Sequence, residues 1–194
     1  YPQLPEDIRA TERLTLPPWG MLTGVRPDKP VTWALMEGKT PEEAKNYLKT
    51  HYFVPEERAA LALETGTVGY RARKRLEARD IDLYVGIPFC PTRCAYCSFI
   101  SADVNRALRL VEPYVDALCR EIELSGVLLR ERGLHISTAY MGGGTPTTLS
   151  AEQLDRVLTA AKRFLPMERC TEFTVEAGRP DTITREKLEA IRDG

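Results

Sequence analysis

Long hydrophobic runs and a dominant charge are both missing from this chain of 194 residues. No apolar stretch approaches the roughly 18 residues that a membrane-spanning helix needs, and no signal-peptide pattern opens the sequence. The formal net charge is -1, so no general affinity for nucleic acid is indicated. We therefore expect a cytoplasmic protein that binds neither membranes nor nucleic acid.

Histidine and cysteine are also sparse. The two histidines, His51 and His135, stand far apart in the sequence, and neither is a candidate catalytic residue. Five cysteines are too few, and odd in number, for the disulfide framework of a secreted protein. A reducing compartment and free thiols are therefore expected.

Three of the cysteines lie close together in the segment DLYVGIPFCPTRCAYCSFIS, residues 82–101. Cys90, Cys94 and Cys97 have the spacing Cys-x3-Cys-x2-Cys. Three thiolates leave a four-coordinate metal, or a 4Fe-4S cluster, one ligand short. This spacing predicts an iron–sulfur cluster with one iron free to bind a small molecule.

A structural zinc site and ordinary packing in a core are the competing roles for these cysteines. A structural zinc site needs four closed ligands, and the further thiols are only Cys119 and Cys170. Ordinary core cysteines would not explain why prolines and an arginine interrupt the run. The ligand count favours the cluster over zinc.

The hydrophobic pattern from residue 80 onward repeats a strand followed by a helix. Such repeats predict a parallel sheet in an α/β fold. Residues 1–79 read as a separate, mostly helical region, so we expect two domains, 1–79 and 80–194. The predicted strands are 83–87, 136–141 and 172–176; the predicted helices are 31–36, 41–51, 55–76, 108–132, 151–165 and 184–192.

Each predicted strand ends in an unusual segment. The first ends in the cysteine segment, the second in a glycine run at 142–144, and the third in Glu176. The carboxyl ends of parallel strands share one edge of a sheet, so these segments are expected to meet. Glycines let a ligand approach the backbone closely, although a tight turn needs them equally. The carboxylate of Glu176 is either an ordinary acid facing water at the end of a strand or a group that accepts hydrogen bonds from the two hydroxyls of a ribose.

Together, LYVGIPFCPTRCAYCSF, YMGGGTPTTL and the strand ending in Glu176 resemble the radical S-adenosylmethionine (radical SAM) superfamily. Within it they resemble the oxygen-independent coproporphyrinogen III oxidase/dehydrogenase group, and WGMLTGVRPDKP (19–30) resembles its HemZ-type branch. The resemblance implies a partial (β/α) barrel of about six strand–helix units, of which this chain holds the first three, behind a small helical domain.

The resemblance also implies a 4Fe-4S cluster and SAM as cofactors, and assigns them residues. Cys90, Cys94 and Cys97 would be the cluster ligands. The SAM contacts would be Tyr96 at the adenine, Tyr84 near the reactive end, Gly143, Gly144 and Thr145 along the methionine part, and Glu176 at the ribose.

The implied activity is that of an oxidoreductase of porphyrin and haem biosynthesis. Hydrogen and CO2 would leave two propionates of coproporphyrinogen III through a 5'-deoxyadenosyl radical, giving protoporphyrinogen IX. The electron donor would be a flavodoxin or ferredoxin, and no catalytic side chain is assigned. This portion of a barrel is expected to be inactive by itself.

A second function stays open. Gly86 and Phe99 stand where well-characterised oxidases of this group carry His and a fourth Cys. Related proteins with the same three-cysteine loop are haem-binding chaperones that do not convert coproporphyrinogen.

Overall fold

A computed structural model describes residues 17–24, 26–98 and 102–194 of the chain. The chain forms two compact units, one up to Leu76 and one from Glu77 onward.

Within residues 17–24 and 26–76, the first unit contains three helices: α1 (Lys29–Met36), α2 (Pro41–His51) and α3 (Glu56–Lys74). Helix α2 begins where the sequence predicts, because Thr40 Oγ1 accepts a hydrogen bond from Glu43 N at 3.3 Å, while the Glu43 carboxylate accepts one from Thr40 N at 2.7 Å. The core of this unit consists of buried side chains from these helices and from Val54.

Gly66 does not interrupt α3, although glycine weakens helices. A Cβ placed there would lie 2.7 Å from the side chain of Val31, and Thr32 Oγ1 donates to Gly66 O at 3.1 Å. The glycine therefore lets α1 approach α3 closely.

The second unit contains a three-stranded parallel sheet, in which strand 135–143 lies between strands 80–87 and 172–175. The predicted α/β class is confirmed. The elements in chain order are β1 (Asp80–Ile87), β2 (Phe89–Cys90), β3 (Ala102–Asp103), α4 (Val104–Glu131), β4 (His135–Gly143), α5 (Ala151–Phe164), β5 (Glu172–Val175) and α6 (Arg185–Asp193).

The short parallel pair β2–β3 was not among the predicted elements. Pro88 has no N–H and ends the β1 ladder, but its carbonyl accepts a hydrogen bond from Ala102 N at 2.7 Å. The chain then pairs Phe89 with Ala102 and Cys90 with Asp103. Two-residue strands carry too little pattern to be read from the sequence, yet this pair joins the two ends of the cysteine segment.

The two faces of the sheet have different surroundings. Val85, Ile87, Ala139 and Met141 are buried on the face that packs against α4 and α5. The apolar stripe of α4 predicted from the sequence takes part in this core, with Val111, Val115, Leu118 and Ile122 buried and Leu129 partly buried.

The opposite face is open to solvent among the residues that the structure describes. Tyr84 and Tyr140 lie opposite one another in the β1–β4 register, and their exposed fractions are 58% and 40%. Side chains alternate between faces along a strand, so Asp82, Tyr84, Thr138 and Tyr140 share this face. Ile136 lies before the register shift between Ile81 and Asp82 and is buried in the core.

Helix α5 is stabilised by a capping box at its N-terminus and by ion pairs with α4 near its middle. Ser150 and Gln153 form a capping box at its N-terminus, and Arg156 pairs with Glu112 and Asp116 of α4. None of the helices in the described ranges has the length and apolar character to cross a bilayer.

Leu154 supplies a direct test of this packing. It is fully buried between α5 and the sheet, so Leu154→Ala is expected to lower the free energy of unfolding by about 2 to 5 kcal/mol. Urea unfolding followed by circular dichroism measures the change. Leu188→Ala is the control, because Leu188 is about half exposed, and it is expected to cost far less. Equal losses in the two variants would contradict the described core.

Candidate functional site

The segments after β1 and β4 are hydrogen-bonded to each other. Gly144 N donates to Ile87 O at 2.7 Å, and Thr145 N donates to Phe89 O at 2.8 Å. These bonds continue the β1–β4 ladder past Pro88. The glycine run therefore lies directly against the start of the cysteine loop, which we define as residues 90–97.

Two glycines of this run have backbone conformations or contacts that a residue with a side chain would not tolerate. Gly143 has a φ of +107°, a region that side chains rarely adopt. A Cβ on Gly144 would lie 2.5 Å from Phe89 O and 3.0 Å from Cys90 Sγ. Close approach of two backbones, and not only a tight turn, requires glycine here.

Glu176 follows β5 and lies beside the glycine run. Its backbone N–H donates to Met141 O at 2.9 Å, which extends the β4–β5 pairing by one residue. Its Oε2 is 3.0 Å from the position that a Cβ on Gly142 would occupy. The missing side chain of Gly142 leaves room for this carboxylate over the sheet.

An aromatic pair flanks the same area. The rings of Tyr84 and Tyr140 stack with centroids 6.0 Å apart and an interplanar angle of 8°. Tyr114 donates a hydrogen bond from its hydroxyl to Gly86 O, and burial raises the pKa of that hydroxyl. Tyr114 therefore connects α4 to the end of β1 and stays protonated near neutral pH.

These groups line a cleft of about 790 Å³. Its lining includes Tyr84, Tyr140, Tyr114, Gly143, Gly144 and Glu176. The volume lies in the range of sites that bind a cofactor or a drug-sized molecule. The cleft combines apolar walls with one carboxylate and with backbone exposed by glycine.

The three predicted ligand cysteines are free thiols, and none of them is among the residues that line the cleft. Cys90 is buried, with its Sγ 3.5 Å from Thr145 Oγ1, whereas Cys94 and Cys97 are half-buried. Within residues 17–24, 26–98 and 102–194, no three Cys, His, Asp or Glu side chains converge closely enough to hold a metal ion. The structure therefore places the cysteines in one loop but does not gather their sulfurs.

The residues present nevertheless fit a cluster and SAM on two observations. The donors are three free thiols in one short loop, and thiolates are the ligands that iron–sulfur clusters take. The glycine run is open beside them, where a Cβ on Gly144 would intrude on Cys90. A preformed metal site rarely exists in an unfolded chain, and metal binding is coupled to folding, so cluster binding is expected to draw the loop together.

The other predicted SAM contacts are placed as follows. Tyr84, Gly143, Gly144 and Glu176 line the cleft, and Thr145 is buried next to Cys90. Tyr96, at the tip of the cysteine loop, is 90% exposed and is not among the residues that line the cleft. Its contact with adenine stays a prediction.

Two polar side chains near the site carry contacts that sequence reasoning did not identify. Lys187 Nζ donates to Thr147 O at 2.6 Å and to Thr182 O at 3.0 Å, and burial lowers the pKa of this amine. Arg179 donates to Thr92 and Cys94 in the cysteine loop. The sequence carries no signal for either set of contacts, because loop conformation decides which backbone atoms these side chains reach.

Comparison with known proteins gives the family. No family model matches the chain. The oxygen-independent coproporphyrinogen-III oxidase-like protein HemZ of Bacillus subtilis is 39% identical over 176 residues, which cover 89% of this chain and 35% of that protein. The heme chaperone HemW of Lactococcus lactis is 38% identical over 110 residues, covering 57% of this chain and 27% of HemW.

The solved structure of coproporphyrinogen III oxidase HemN from Escherichia coli, described as a radical SAM enzyme, matches with a TM-score of 0.50 and 28% identity. The match covers 66% of this chain and 28% of HemN. The chain thus spans about a third of the length of its relative HemZ. The shared parallel sheet and the sequence similarity over most of the chain lead to one conclusion: the chain belongs to the HemN- and HemZ-like group of the radical SAM family.

Proposed function

We propose that this chain carries the cofactor site of a radical SAM enzyme of porphyrin and haem biosynthesis. The reaction is the oxidative decarboxylation of coproporphyrinogen III to protoporphyrinogen IX. The observation that supports this most directly is the glycine run, in which Gly144 lies close to Cys90 Sγ and lines the same cleft as Glu176.

Each site residue has a physical role in this proposal. Cys90, Cys94 and Cys97 hold a 4Fe-4S cluster with one iron free. Gly143, Gly144 and Thr145 offer backbone and hydroxyl groups to the methionine part of SAM. These short groups suit a ligand that must lie close to the backbone.

The remaining residues orient the nucleoside. The Glu176 carboxylate accepts hydrogen bonds from the ribose hydroxyls, and Tyr84 lies at the reactive end on the open face of the sheet. When bound, the cluster and SAM would supply one-electron chemistry that removes hydrogen from the substrate. The protein would bind and orient these cofactors and exclude side reactions. The electron donor is a small redox protein such as a flavodoxin or ferredoxin.

A second function is a haem-binding, chaperone-like role without conversion of coproporphyrinogen. The similarity to heme chaperone HemW supports it, since that match covers more than half of this chain. Both functions use the same cysteine loop and glycine run, so the cofactor site alone does not separate them.

Turnover of substrate separates the two functions. The longest natural protein that includes this sequence is reconstituted anaerobically with iron and sulfide, then assayed for 5'-deoxyadenosine and for loss of coproporphyrinogen III. We expect the wild-type protein to form 5'-deoxyadenosine and to consume coproporphyrinogen III. Cys94→Ala is expected to lose both activities. Cys170→Ala is expected to keep them, because the Cys170 thiol lies outside the loop. SAM cleavage without loss of coproporphyrinogen, together with haem binding, would favour the chaperone-like role.

Glu176→Gln tests the ribose contact. Removing the charge is expected to weaken SAM binding about 10- to 100-fold, because hydrogen bonds to charged groups contribute about 1.5 to 3 kcal/mol. Titration calorimetry on the reconstituted protein measures the affinity. Glu172→Gln is the control, since Glu172 accepts from Thr174 Oγ1 and does not line the cleft. An unchanged affinity in Glu176→Gln would remove Glu176 from the site.

Gly144→Ala tests the close approach of the backbones. The added methyl would lie 2.5 Å from Phe89 O, so the glycine run must shift, and loss of most SAM binding is expected. Gly178→Ala is the matched control, because a Cβ there meets no atom within 4 Å. Equal SAM affinity in the two variants would contradict the described contact of the glycine run with the cysteine loop.

A further inference from the structure

Arg179 connects the end of β5 to the cysteine loop. Its Nη1 donates to Thr92 Oγ1 at 2.9 Å, and its Nη2 donates to Thr92 O at 2.8 Å and to Cys94 Sγ at 3.0 Å. Thr92 and Cys94 lie 87 and 85 residues away in sequence. One guanidinium therefore holds a backbone carbonyl, a hydroxyl and a candidate ligand sulfur of the loop.

The backbone of Arg179 is itself fixed. Its carbonyl accepts hydrogen bonds from Thr182 N at 3.0 Å and from Thr182 Oγ1 at 2.8 Å. The Thr182 hydroxyl also lies 2.6 Å from Thr147 Oγ1, in the segment that follows the glycine run, and both threonines are buried. A continuous chain of polar contacts thus runs from the cysteine loop through Arg179 to the segment after the glycine run.

We propose that Arg179 is a positioning residue that holds the cysteine loop at the end of β5 and donates a hydrogen bond to the Cys94 sulfur when that sulfur binds the cluster. The proposal rests on the cluster site described under the proposed function. It gives Arg179 a task at the cluster.

Arginine suits this task better than lysine. Its planar fork has donors in fixed directions, so one side chain can satisfy Thr92 and Cys94 together, whereas an ammonium acts as a single point of charge. The positive charge and the N–H donor both favour a sulfur that carries negative charge. Hydrogen bonds to ligand sulfurs help to set the reduction potential of a cluster, and donation stabilises the more negative, reduced form.

The first experiment examines the loop without any cofactor. Trypsin cleaves after Arg93, which is exposed between the two residues that Arg179 binds. In Arg179→Met the cleavage after Arg93, followed by mass spectrometry, is expected to be about tenfold faster or more, since charged hydrogen bonds that restrain the loop are lost. The rate in Arg179→Lys is expected to lie between those of wild type and Arg179→Met.

Arg185→Met is the matched control. Arg185 is an exposed arginine of α6 that pairs with Glu189 and does not touch the cysteine loop. Cleavage after Arg93 in this variant should equal that of the wild-type chain. Equal cleavage in Arg179→Met, Arg185→Met and wild type would overturn the proposal that Arg179 holds the loop.

The second experiment examines the reconstituted cluster. At a fixed donor potential, the ratio of reduced to oxidised cluster in Arg179→Met is expected to fall about tenfold, which corresponds to a midpoint shift of about 59 mV to more negative values for one electron. Redox titration followed by electron paramagnetic resonance measures it, with Arg185→Met unchanged. If the cluster of Arg179→Met has the midpoint potential of the wild type, the proposal that Arg179 donates a hydrogen bond to the Cys94 sulfur of the bound cluster is overturned.

Failure of this inference differs from failure of the proposed function. If the wild-type chain takes up no iron, the proposed cluster site fails and the hydrogen bond to a cluster sulfur fails with it. If the wild type holds a cluster but Arg179→Met matches it in cleavage and in midpoint, only the role of Arg179 fails.

Discussion

The parallel pairing of β1 with β4 is the constraint on which the rest of the second unit depends. It places Ile87 beside Gly143, and the bond from Gly144 N to Ile87 O carries the pairing past Pro88. It also decides which side chains share a face, so Val85 and Met141 enter the core while Tyr84 and Tyr140 face the cleft. Because the period of a strand is two, a shift by one residue would exchange the two faces and remove the cleft.

The loops at the carboxyl ends of the strands are joined by side chains that bind backbone atoms. Lys187 donates to two carbonyls near the glycine run, and Arg179 donates to a carbonyl and a sulfur of the cysteine loop. Carbonyls in loops of this kind have no partner in a helix or strand ladder and are paired by side chains or water. Cationic donors from the third strand–helix unit satisfy them here, so the third unit supports segments that belong to the first two.

The relatives of this chain have names that point to different functions, an oxidase-like protein and a heme chaperone. Similarity to HemZ, HemN and HemW covers 89%, 66% and 57% of this chain. A fold and a cofactor site do not by themselves specify a substrate. In our proposal the substrate meets the open face of the sheet around Tyr84, so differences between these proteins are to be sought there and not among the three cysteines.

The sequence by itself determined the order of strands and helices and the apolar stripe of α4, because both follow from the local periodicity of apolar residues. It also determined the start of α2 at Thr40, through its capping residues. The meeting of the glycine run with the cysteine loop followed from the common direction of the parallel strands. The sequence could not predict the β2–β3 pair, the partnership of Arg179 with Cys94 or the contacts of Lys187, since each depends on how loops fold against one another. Tertiary structure alone decided that the three thiols do not converge within their loop, because sulfur positions depend on loop conformation, which spacing along the chain does not specify.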